Sequence, residues 1–278
     1  MRSHHHGEYP ARGRAAGVSV VLPARECADT IEPIVAACVP LAEQVVVIDA
    51  ASRDGTAELA ARAGAEVHQE AELMADFGPP AGKGDAMWRS LSVVRGEIVA
   101  FVDADTEGFD DRFVRGLTGP LLAEPAVQYV KGFYRRPFKV ADATLPEGGG
   151  RVTELTARPL LRAFYPELAD VRQPLAGEVA ARRELLERLP FATGYSVEIA
   201  MLIDAWAAVG LDGIAQVDLD VRQNRHQPLG ELAGMADAVL AAVTERLVRE
   251  GRLRERPGGR AALERPPMAS VMPARQDG

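Results

Sequence analysis

The sequence of 278 residues predicts an α/β protein built around an open, mostly parallel sheet that is flanked by helices. Apolar runs of strand length alternate with segments of helical periodicity, and polar residues follow directly after several of these runs. A hydrophobic content of 47% is enough for the core of one large domain. The net charge of -8 argues against a nucleic-acid partner, because binding a phosphate backbone requires a cationic surface.

The first two strands are predicted from short β-branched runs. The run from Val18 to Leu22 ends at Pro23, and the segment that begins at Thr30 has the apolar spacing of a helix. A second run, residues 45–48, ends at Asp49 and leads through a turn into an Ala-rich helical stretch. This order of strand, helix and strand predicts parallel pairing.

A buried strand with two carboxylates at its end follows. Residues 66–68 predict a short third strand, and residues 85–94 predict a helix that leads into the next apolar run. That run ends in Asp103 and Asp105, and side-chain alternation lets both carboxylates face one ligand. Their hard oxygens suit Mg²⁺ or Mn²⁺ bridging two phosphates, whereas a solvated strand end is the alternative for the pair taken alone.

Three of the predicted strands therefore end in residues with possible functions, at Pro23, Asp49 and Asp103. In open α/β sheets ligands bind outside the carboxyl ends of the strands, so these ends are predicted to surround one crevice. Residues 18–125 are interpreted as a nucleotide-binding half.

The second half, residues 126–250, is predicted to bind the acceptor and to end in a long helix. Alternation predicts strands over 127–135 and 214–221, and helical periodicity is seen over 153–164, 196–209 and 229–249. The two halves together form one predicted domain, residues 18–250.

Both ends of the chain are predicted to lack a fixed structure. Residues 1–17 are expected to be a disordered leader, and its run His4-His5-His6 is interpreted as part of a disordered or artificially added tail and is left out of the site. Residues 251–278 are rich in Arg, Pro and Gly, which predicts a mobile tail with no core to join.

Cysteine content and hydropathy indicate the compartment. Cys27 and Cys38 are too few for a disulfide framework, which favours the reducing cytoplasm. No apolar run reaches the ~18 residues that span a bilayer, so we expect no signal peptide, no transmembrane helix and no membrane partner.

Two glycine-containing loops are candidate anion sites. In Gly82-Lys83-Gly84 the backbone N–H groups and the ammonium can meet a phosphate before a helix, although the spacing is not that of a Walker loop. A solvated loop lysine is the alternative. Gly150-Arg151-Val152-Thr153 combines flexible backbone, a guanidinium and a hydroxyl, and its alternative is a glycine linker followed by a Thr N-cap.

Two further features are less specific by themselves. Arg222 to His226 follows a predicted strand and is rich in phosphate and metal ligands, but a lone histidine such as His226 is more often a surface residue. Glu198 lies at a predicted helix start, where the helix dipole favours any acidic residue, so its position alone assigns no function.

The motifs of the first half, in their order, resemble the nucleotide-sugar half of GT-A glycosyltransferases. They are Val20-Val21-Leu22-Pro23-Ala24, Val47-Ile48-Asp49 with Ser52-x-Asp54-Gly55-Thr56, Gly82-Lys83-Gly84-Asp85 and Asp103-Ala104-Asp105. The resemblance implies the GT-A fold, a Rossmann-like, mixed, mostly parallel sheet flanked by helices, here with a C-terminal helical extension.

Motifs of the second half narrow the resemblance to the glucosyl-3-phosphoglycerate and mannosyl-3-phosphoglycerate synthases. They are Gly150-Arg151-Val152-Thr153-Glu154, Gly194-Tyr195-x-x-Glu198 and Val221-Arg222-x-x-Arg225-x-x-Pro228-Leu229. This resemblance implies a homodimer that moves glucose or mannose from a nucleoside diphosphate sugar to 3-phosphoglycerate with retention, using Mg²⁺ or Mn²⁺. A sugar-phosphate nucleotidyltransferase, a glycosyltransferase with another acceptor and a non-catalytic nucleotide-sugar-binding protein are the alternatives.

The resemblance also implies roles for individual residues on the donor side. Asp105 would bind the metal, Asp103 would lie on the ribose side and Lys83 would contact the pyrophosphate. The base and ribose would be contacted by Pro23, Ala24 and Asp49. Position 25 holds Arg where the family usually has Asn, so the nucleotide preference is left open.

On the acceptor side, the resemblance implies that the phosphate or carboxylate of the acceptor is held by Gly150, Arg151 and Thr153. Glu198 would lie at the sugar and acceptor, and Arg222 would neutralise the departing diphosphate. His226 is expected to complete the metal site, with Asn224 as the alternative, because imidazole is the better ligand. The implied catalytic residues are thus Asp105, Glu198, Lys83 and Arg222.

Overall fold

The computed structural model describes residues 1–10, 13–136, 138–140, 143–145, 150–222, 229–255 and 263–272. The strands are β1 (Arg2–His5), β2 (Ala15–Ala24), β3 (Ala42–Asp49), β4 (Glu66–Gln69), β5 (Ile98–Phe101), β6 (Tyr129–Arg135), β7 (Phe138–Val140), β8 (Ala143–Leu145), β9 (Val179–Arg182), β10 (Phe191–Ala192), β11 (Ile214–Val221) and β12 (Glu264–Arg265). The α-helices are α1 (Ile31–Cys38), α2 (Thr56–Arg62), α3 (Lys83–Ser90), α4 (Asp111–Ala123), α5 (Arg158–Phe164), α6 (Arg183–Arg188), α7 (Val197–Val209) and α8 (Leu229–Arg249).

The main sheet of the described residues has the strand order β1-β11-β6-β9-β5-β2-β3-β4. All neighbours pair in parallel except β9, which is antiparallel to both β5 and β6. This confirms the predicted mixed, mostly parallel sheet. Because β9 is reversed, its first residues lie at the same edge of the sheet as the last residues of β5 and β6.

Each face of the sheet carries its own apolar core. Val46 and Ile48 of β3 pack into a cluster with α3, α7 and α8, whereas Val45 and Val47 pack into a cluster with α1 and α4. The alternation along the strand sends successive side chains to opposite faces, so both faces of the central strands are buried. Within the described residues, no helix combines the length and apolar character that crossing a membrane requires.

Most predicted elements are present with small shifts of their ends. The strand over 214–221 and the helix over 229–249 have the predicted bounds, and the third strand is present as β4. The predicted helix over 85–94 begins earlier, at Lys83. The elements α4, α6 and β9 were not predicted, and β9 matters most because it lies at the centre of the sheet.

The prediction of a disordered leader is wrong for residues 1–10. Strand β1 pairs in parallel with β11, with Arg2 opposite Ala215 and His5 opposite Asp218. Without β1, the strand β11 would be the sheet edge with unpaired backbone N–H and C=O groups, which explains why a short polar segment is ordered there.

The prediction that the C-terminal segment has no core to join is wrong for residues 263–272. Strand β12 pairs antiparallel with β10, and Met268 is buried in the same cluster as α3 and α7. The Arg, Pro and Gly content of this segment predicted a mobile tail. Composition does not reveal that Arg265 forms an ion pair with the buried Asp85. The bounds of the predicted domain halves stay a prediction, and both halves contribute strands to the one sheet.

Candidate active site

A cleft of about 980 Å³ lies at the carboxyl ends of β2, β3, β4 and β5. Its described lining includes residues from these strand ends and from two loops: Pro23, Ala24, Ile48, Gln69, Glu70, Gly82, Lys83, Asp103, Asp105, Gly194 and Tyr195. Of the predicted base-side residues, Asp49 does not line the cleft. Its buried carboxylate instead accepts hydrogen bonds from the backbone of Ser52 at 3.1 Å and from Gln69 at 3.0 Å.

The base-side wall is stabilised by hydrogen bonds between the loop after β2 and the loop after β3. The N–H of Glu26 donates to the Ser52 hydroxyl at 2.9 Å, and the N–H of Ala28 donates to the Asp54 carboxylate at 2.9 Å. The motif residues Ser52 and Asp54 therefore stabilise the conformation of the loop that follows β2. At the start of α1, the hydroxyl of Thr30 donates to the carbonyl of Ala104 at 2.7 Å, which ties this helix to the Asp-x-Asp segment.

The two carboxylates of the Asp-x-Asp pair have different environments. The Asp103 side chain is 19% exposed and lies between Lys83 Nζ, 2.5 Å from Oδ1, and Arg222 Nη1, 2.8 Å from Oδ2. Burial by itself would raise the pKa of Asp103, but the charges of Lys83 and Arg222 outweigh it and hold the pKa below its ordinary value. Asp105 is 69% exposed, so its carboxylate is accessible to a cation from solvent.

Lys83 is the first residue of α3 and joins two carboxylates. Its Nζ donates to Asp103 Oδ1 and, at 2.8 Å, to Glu198 Oε1 in the first turn of α7. Burial opposes the charged ammonium, but both carboxylates raise the pKa of Lys83, so it stays protonated. Next to it, a Cβ on Gly84 would meet the carbonyl oxygen of Ala192 at 1.9 Å, which explains the glycine.

Arg222 is the centre of a buried network behind the cleft. It follows β11 directly, is 1% exposed and contacts the carboxylates of Asp103 and, at 3.3 Å, Asp105. Its Nη1 also lies 2.5 Å from Glu178 Oε1 and donates to the Tyr134 hydroxyl at 2.8 Å. The structure thus brings the four predicted catalytic residues together, and their individual roles stay predictions.

Sequence reasoning missed Glu178 and Tyr134. Glu178 directly precedes β9, which was not predicted, and its side chain is fully buried. The only available signal was a carboxylate before the short apolar run Val179-Ala180-Ala181, which is weak by itself. Tyr134 lies within the predicted strand, but the pattern did not show that its hydroxyl reaches the site.

A second, smaller pocket contains two of the three predicted acceptor residues. Gly150, with a left-handed φ of 78°, and the buried Thr153 line a small pocket together with Arg136 and Gln173. Thr153 is not an N-cap, because it begins the π-helical turn Thr153–Ala157 that follows Val152. Both predicted metal ligands of the turn after β11, His226 and its alternative Asn224, lie outside the described residues, as do Gly148 and Gly149 of the glycine loop.

Another group of possible metal ligands lies at the β1 edge of the sheet. His5, His6 and Asp220 place their ligand atoms within 4.8 Å of one another. The N–H of Gly7 donates to His5 Nδ1 at 3.0 Å, so the Nε2 of a neutral His5 carries the proton. His6 Nε2 lies 2.6 Å from Asp220, and the group is explained as hydrogen bonds between imidazole and carboxylate.

The site thus combines a cleft at the strand ends, two carboxylates and two cationic side chains, groups that suit an anionic ligand bound together with a divalent cation. The model of Glycosyl transferase family 2 matches residues 19–166. The chain therefore belongs to glycosyl transferase family 2, and the predicted GT-A glycosyltransferase class is confirmed.

Comparison with individual proteins narrows the family. The chain is 49% identical over 233 residues to glucosyl-3-phosphoglycerate synthase of Mycolicibacterium smegmatis, covering 82% of this chain and 77% of that protein. It resembles the crystal structure of mannosyl-3-phosphoglycerate synthase from Rubrobacter xylanophilus, with a TM-score of 0.88, 44% identity and 98% of both chains covered.

A complex from Mycobacterium tuberculosis is also similar. This glucosyl-3-phosphoglycerate synthase, crystallised with Mn²⁺, UDP-glucose and phosphoglyceric acid, has a TM-score of 0.79, 43% identity and coverage of 92% of this chain and 91% of that chain. Within glycosyl transferase family 2, the chain belongs to the family of these sugar-3-phosphoglycerate synthases.

Proposed function

We propose that this protein transfers glucose or mannose from a nucleoside diphosphate sugar to 3-phosphoglycerate with retention at the anomeric carbon. Arg222 is linked through the Tyr134 hydroxyl to Arg136, which lines the small pocket. The observation that carries the proposal is the junction at Asp103, where Lys83 of the large cleft and Arg222 meet on one carboxylate. A donor and an acceptor bound on the two sides of this residue would have their reacting groups close together.

The residues fit a divalent cation on the donor side. Asp105 offers an exposed carboxylate beside a cleft that is large enough for a nucleotide sugar, and hard oxygen ligands suit Mg²⁺ or Mn²⁺. When bound, the cation would neutralise charge on the diphosphate. Mn²⁺ is present together with UDP-glucose in the similar complex from Mycobacterium tuberculosis.

The protein side chains then stabilise the leaving group electrostatically. Lys83 and Arg222 stay cationic because their carboxylate partners favour the charged forms, so they can balance the diphosphate charge that develops as the glycosidic bond breaks. Glu198 accepts a second hydrogen bond from Lys83 besides the one to Asp103, and the two contacts together restrict the direction of the ammonium. Gly150, Arg151 and Thr153 would orient the acceptor.

A transfer assay tests the proposal. The protein is incubated with 3-phosphoglycerate, Mn²⁺ or Mg²⁺, and UDP-, ADP- or GDP-linked glucose or mannose, and the product is detected by mass. We expect a hexosyl-phosphoglycerate and a nucleoside diphosphate. Pyrophosphate released from a nucleoside triphosphate and a sugar phosphate would identify a nucleotidyltransferase instead, and donor binding without any transfer would contradict the proposed acceptor.

We also propose that the protein is a cytoplasmic homodimer. Both cysteines are free and Cys38 is buried, which suits a reducing compartment. The apolar face of α8, including Val239 and Val243, packs into the core of its own chain, so support for the dimer comes from the family resemblance alone. Light scattering coupled to size-exclusion chromatography measures the subunit number, and a monomeric mass would contradict the proposal.

A further inference from the structure

We propose that Arg136 binds the phosphate group of the acceptor, and that the Tyr134 hydroxyl fixes Arg136 relative to Arg222. The inference rests on the proposed function, because it extends the acceptor side of that same site. It assigns a phosphate ligand and a positioning residue that sequence reasoning did not find.

The position of Arg136 places it beside the predicted acceptor residues. It directly follows β6 and lines the small pocket that also contains Gly150 and Thr153. The backbone at Gly150, the hydroxyl of Thr153 and a guanidinium are the group types that commonly bind phosphate oxygens. A guanidinium can form two parallel hydrogen bonds to a phosphate, which fixes the orientation of the ligand as well as its charge.

The charge of Arg136 has no counter-ion among the residues that the structure describes. Its Nη2 donates to the neutral Tyr134 hydroxyl at 2.8 Å, and its buried Nε has no hydrogen-bond partner in the described part of the chain. The carboxylate of Glu154, which also lines the pocket, pairs with Arg158 at 3.0 Å. A partly buried guanidinium without a carboxylate partner can still gain charge-assisted hydrogen bonds, and a phosphate bound there would supply the missing charge.

The Tyr134 hydroxyl connects the two guanidinium groups. It donates to Glu178 Oε2 at 2.8 Å and accepts from Arg222 Nη1 and Arg136 Nη2, each at 2.8 Å. A phenol has one donor and two acceptor positions, and these contacts use all of them. The geometry therefore fixes the separation between the arginine at the leaving group and the arginine at the acceptor.

The backbone of Tyr134 is held in place as well. The Gln173 side chain accepts a hydrogen bond from the Tyr134 N–H at 3.2 Å and donates one to the Tyr134 carbonyl. Both contacts come from the segment before β9 and fix the backbone from which the Tyr134 side chain extends. Tyr134 is accordingly a positioning residue, which acts on the acceptor through Arg136.

Steady-state kinetics with Arg136→Gln and Arg135→Gln test the assignment. Arg135 is the neighbouring residue with the same charge and an exposed side chain, so its variant is the matched control. We expect Arg136→Gln to raise KM for 3-phosphoglycerate by roughly tenfold or more, since charge-assisted hydrogen bonds are lost, and to leave KM for the donor unchanged. Equal values for the two variants would overturn the assignment.

Three acceptors identify the group that Arg136 binds. 3-Phosphoglycerate carries a phosphate and a carboxylate, glycerol 3-phosphate carries only the phosphate, and glycerate carries only the carboxylate. If Arg136 binds the phosphate, Arg136→Gln weakens saturation by the first two and leaves glycerate unchanged. A loss confined to 3-phosphoglycerate and glycerate would overturn the phosphate assignment.

Tyr134→Phe tests the positioning role. Because it removes contacts to both arginines, we expect a higher acceptor KM together with a lower kcat, whereas Arg136→Gln mainly changes KM. Circular dichroism and thermal unfolding show that each variant is folded, and Arg136→Lys provides a charged variant if Arg136→Gln is not. An unchanged acceptor KM in a folded Tyr134→Phe protein would overturn the positioning role.

The inference can fail independently of the proposed function. If the wild-type protein transfers no hexose to 3-phosphoglycerate, the proposed function fails, and calorimetric titration with inorganic phosphate still tests Arg136. Weaker phosphate binding by Arg136→Gln than by Arg135→Gln would support the anion site. Equal binding by the two variants and the wild type would overturn it.

Discussion

The cleft proposed for the donor and the buried network around Arg222 are constructed in different ways. In the cleft, Pro23 and Ala24 end the parallel strand β2 and Asp103 lies just after β5, so the order of the strands in the sheet places them. In the buried network, Glu178 precedes the antiparallel β9 and Arg222 follows β11. Their side chains are held together by a network of charges that crosses between strands distant in sequence.

This difference predicts which substitutions change only their own contacts and which also destabilise neighbouring residues. A residue at an exposed strand end can be changed without affecting its neighbours, whereas each member of the buried network leaves another charge unpaired when it is removed. The Asp-x-Asp pair contains one residue of each kind, because Asp105 is exposed and Asp103 is shared by two cations.

The largest expected effect separates these two carboxylates. Asp105→Asn should lower kcat by about 10³-fold through loss of the metal ligand, with the free energy of unfolding changed by less than about 0.5 kcal/mol. Asp103→Asn should lower kcat and also the unfolding free energy, by about 3 kcal/mol, because it leaves the buried Arg222 and the partly buried Lys83 short of a partner. Denaturant unfolding measures the free energy of unfolding, and steady-state assays with Mn²⁺ measure kcat. Equal destabilisation by the two variants would contradict the comparison.

A second prediction concerns the support of the donor side by the C-terminal segment. Arg265 donates to both carboxylate oxygens of Asp85, at 2.6 and 2.9 Å. Asp85 is buried and lies two residues after Lys83 in α3. Arg265→Met should destabilise the fold by about 2 kcal/mol and raise the donor KM, because Asp85 loses one of its two arginine partners, keeping Arg89 at 3.1 Å, and the loop before α3 loses its contacts with Arg265. Arg188→Met, which removes an exposed pair with Glu184, is the control and should cost less than about 1 kcal/mol.

If Arg265→Met lowered stability without any change in the donor KM, the C-terminal segment would be important for the core alone. If neither quantity changed, the ion pair with Asp85 would not support the donor cleft.

The smallest expected effect is a pH dependence at the cleft wall. Burial, reinforced by the nearby Asp85, raises the pKa of Glu70 from 4.5 to about 7. Between these pH values the folded protein keeps a proton that the unfolded chain loses, so this group makes stability fall as the pH rises from 4.5 to 7. Glu70→Gln should therefore be more stable than wild type at pH 8 by about 2 kcal/mol, with a smaller difference at pH 5.

Thermal or denaturant unfolding of both proteins between pH 5 and pH 8 measures the Glu70 contribution. A stability difference that stays constant over this range would show that Glu70 titrates normally, as an exposed carboxylate does.

The donor side could be predicted in detail because its signals are local. Apolar runs ending at Pro23, Asp49 and Asp103 indicated parallel strands, and the general position of ligands in such sheets indicated the cleft. The exception is Asp49, whose carboxylate turns into the protein and binds Ser52 and Gln69. A strand end shows which residues are near a crevice, but the direction of each side chain depends on its neighbours in space.

The sequence by itself determined the fold class and the glycosyltransferase resemblance, and it supplied the candidate residues of the site, because periodicity and motif order are properties of nearby residues. Only the tertiary structure decided that residues 1–10 extend the sheet and that residues 263–272 join the core. It alone placed Glu178 and Tyr134 beside Arg222. These contacts join residues that lie far apart in sequence, and their energies come from burial and charge pairing, which no local pattern records.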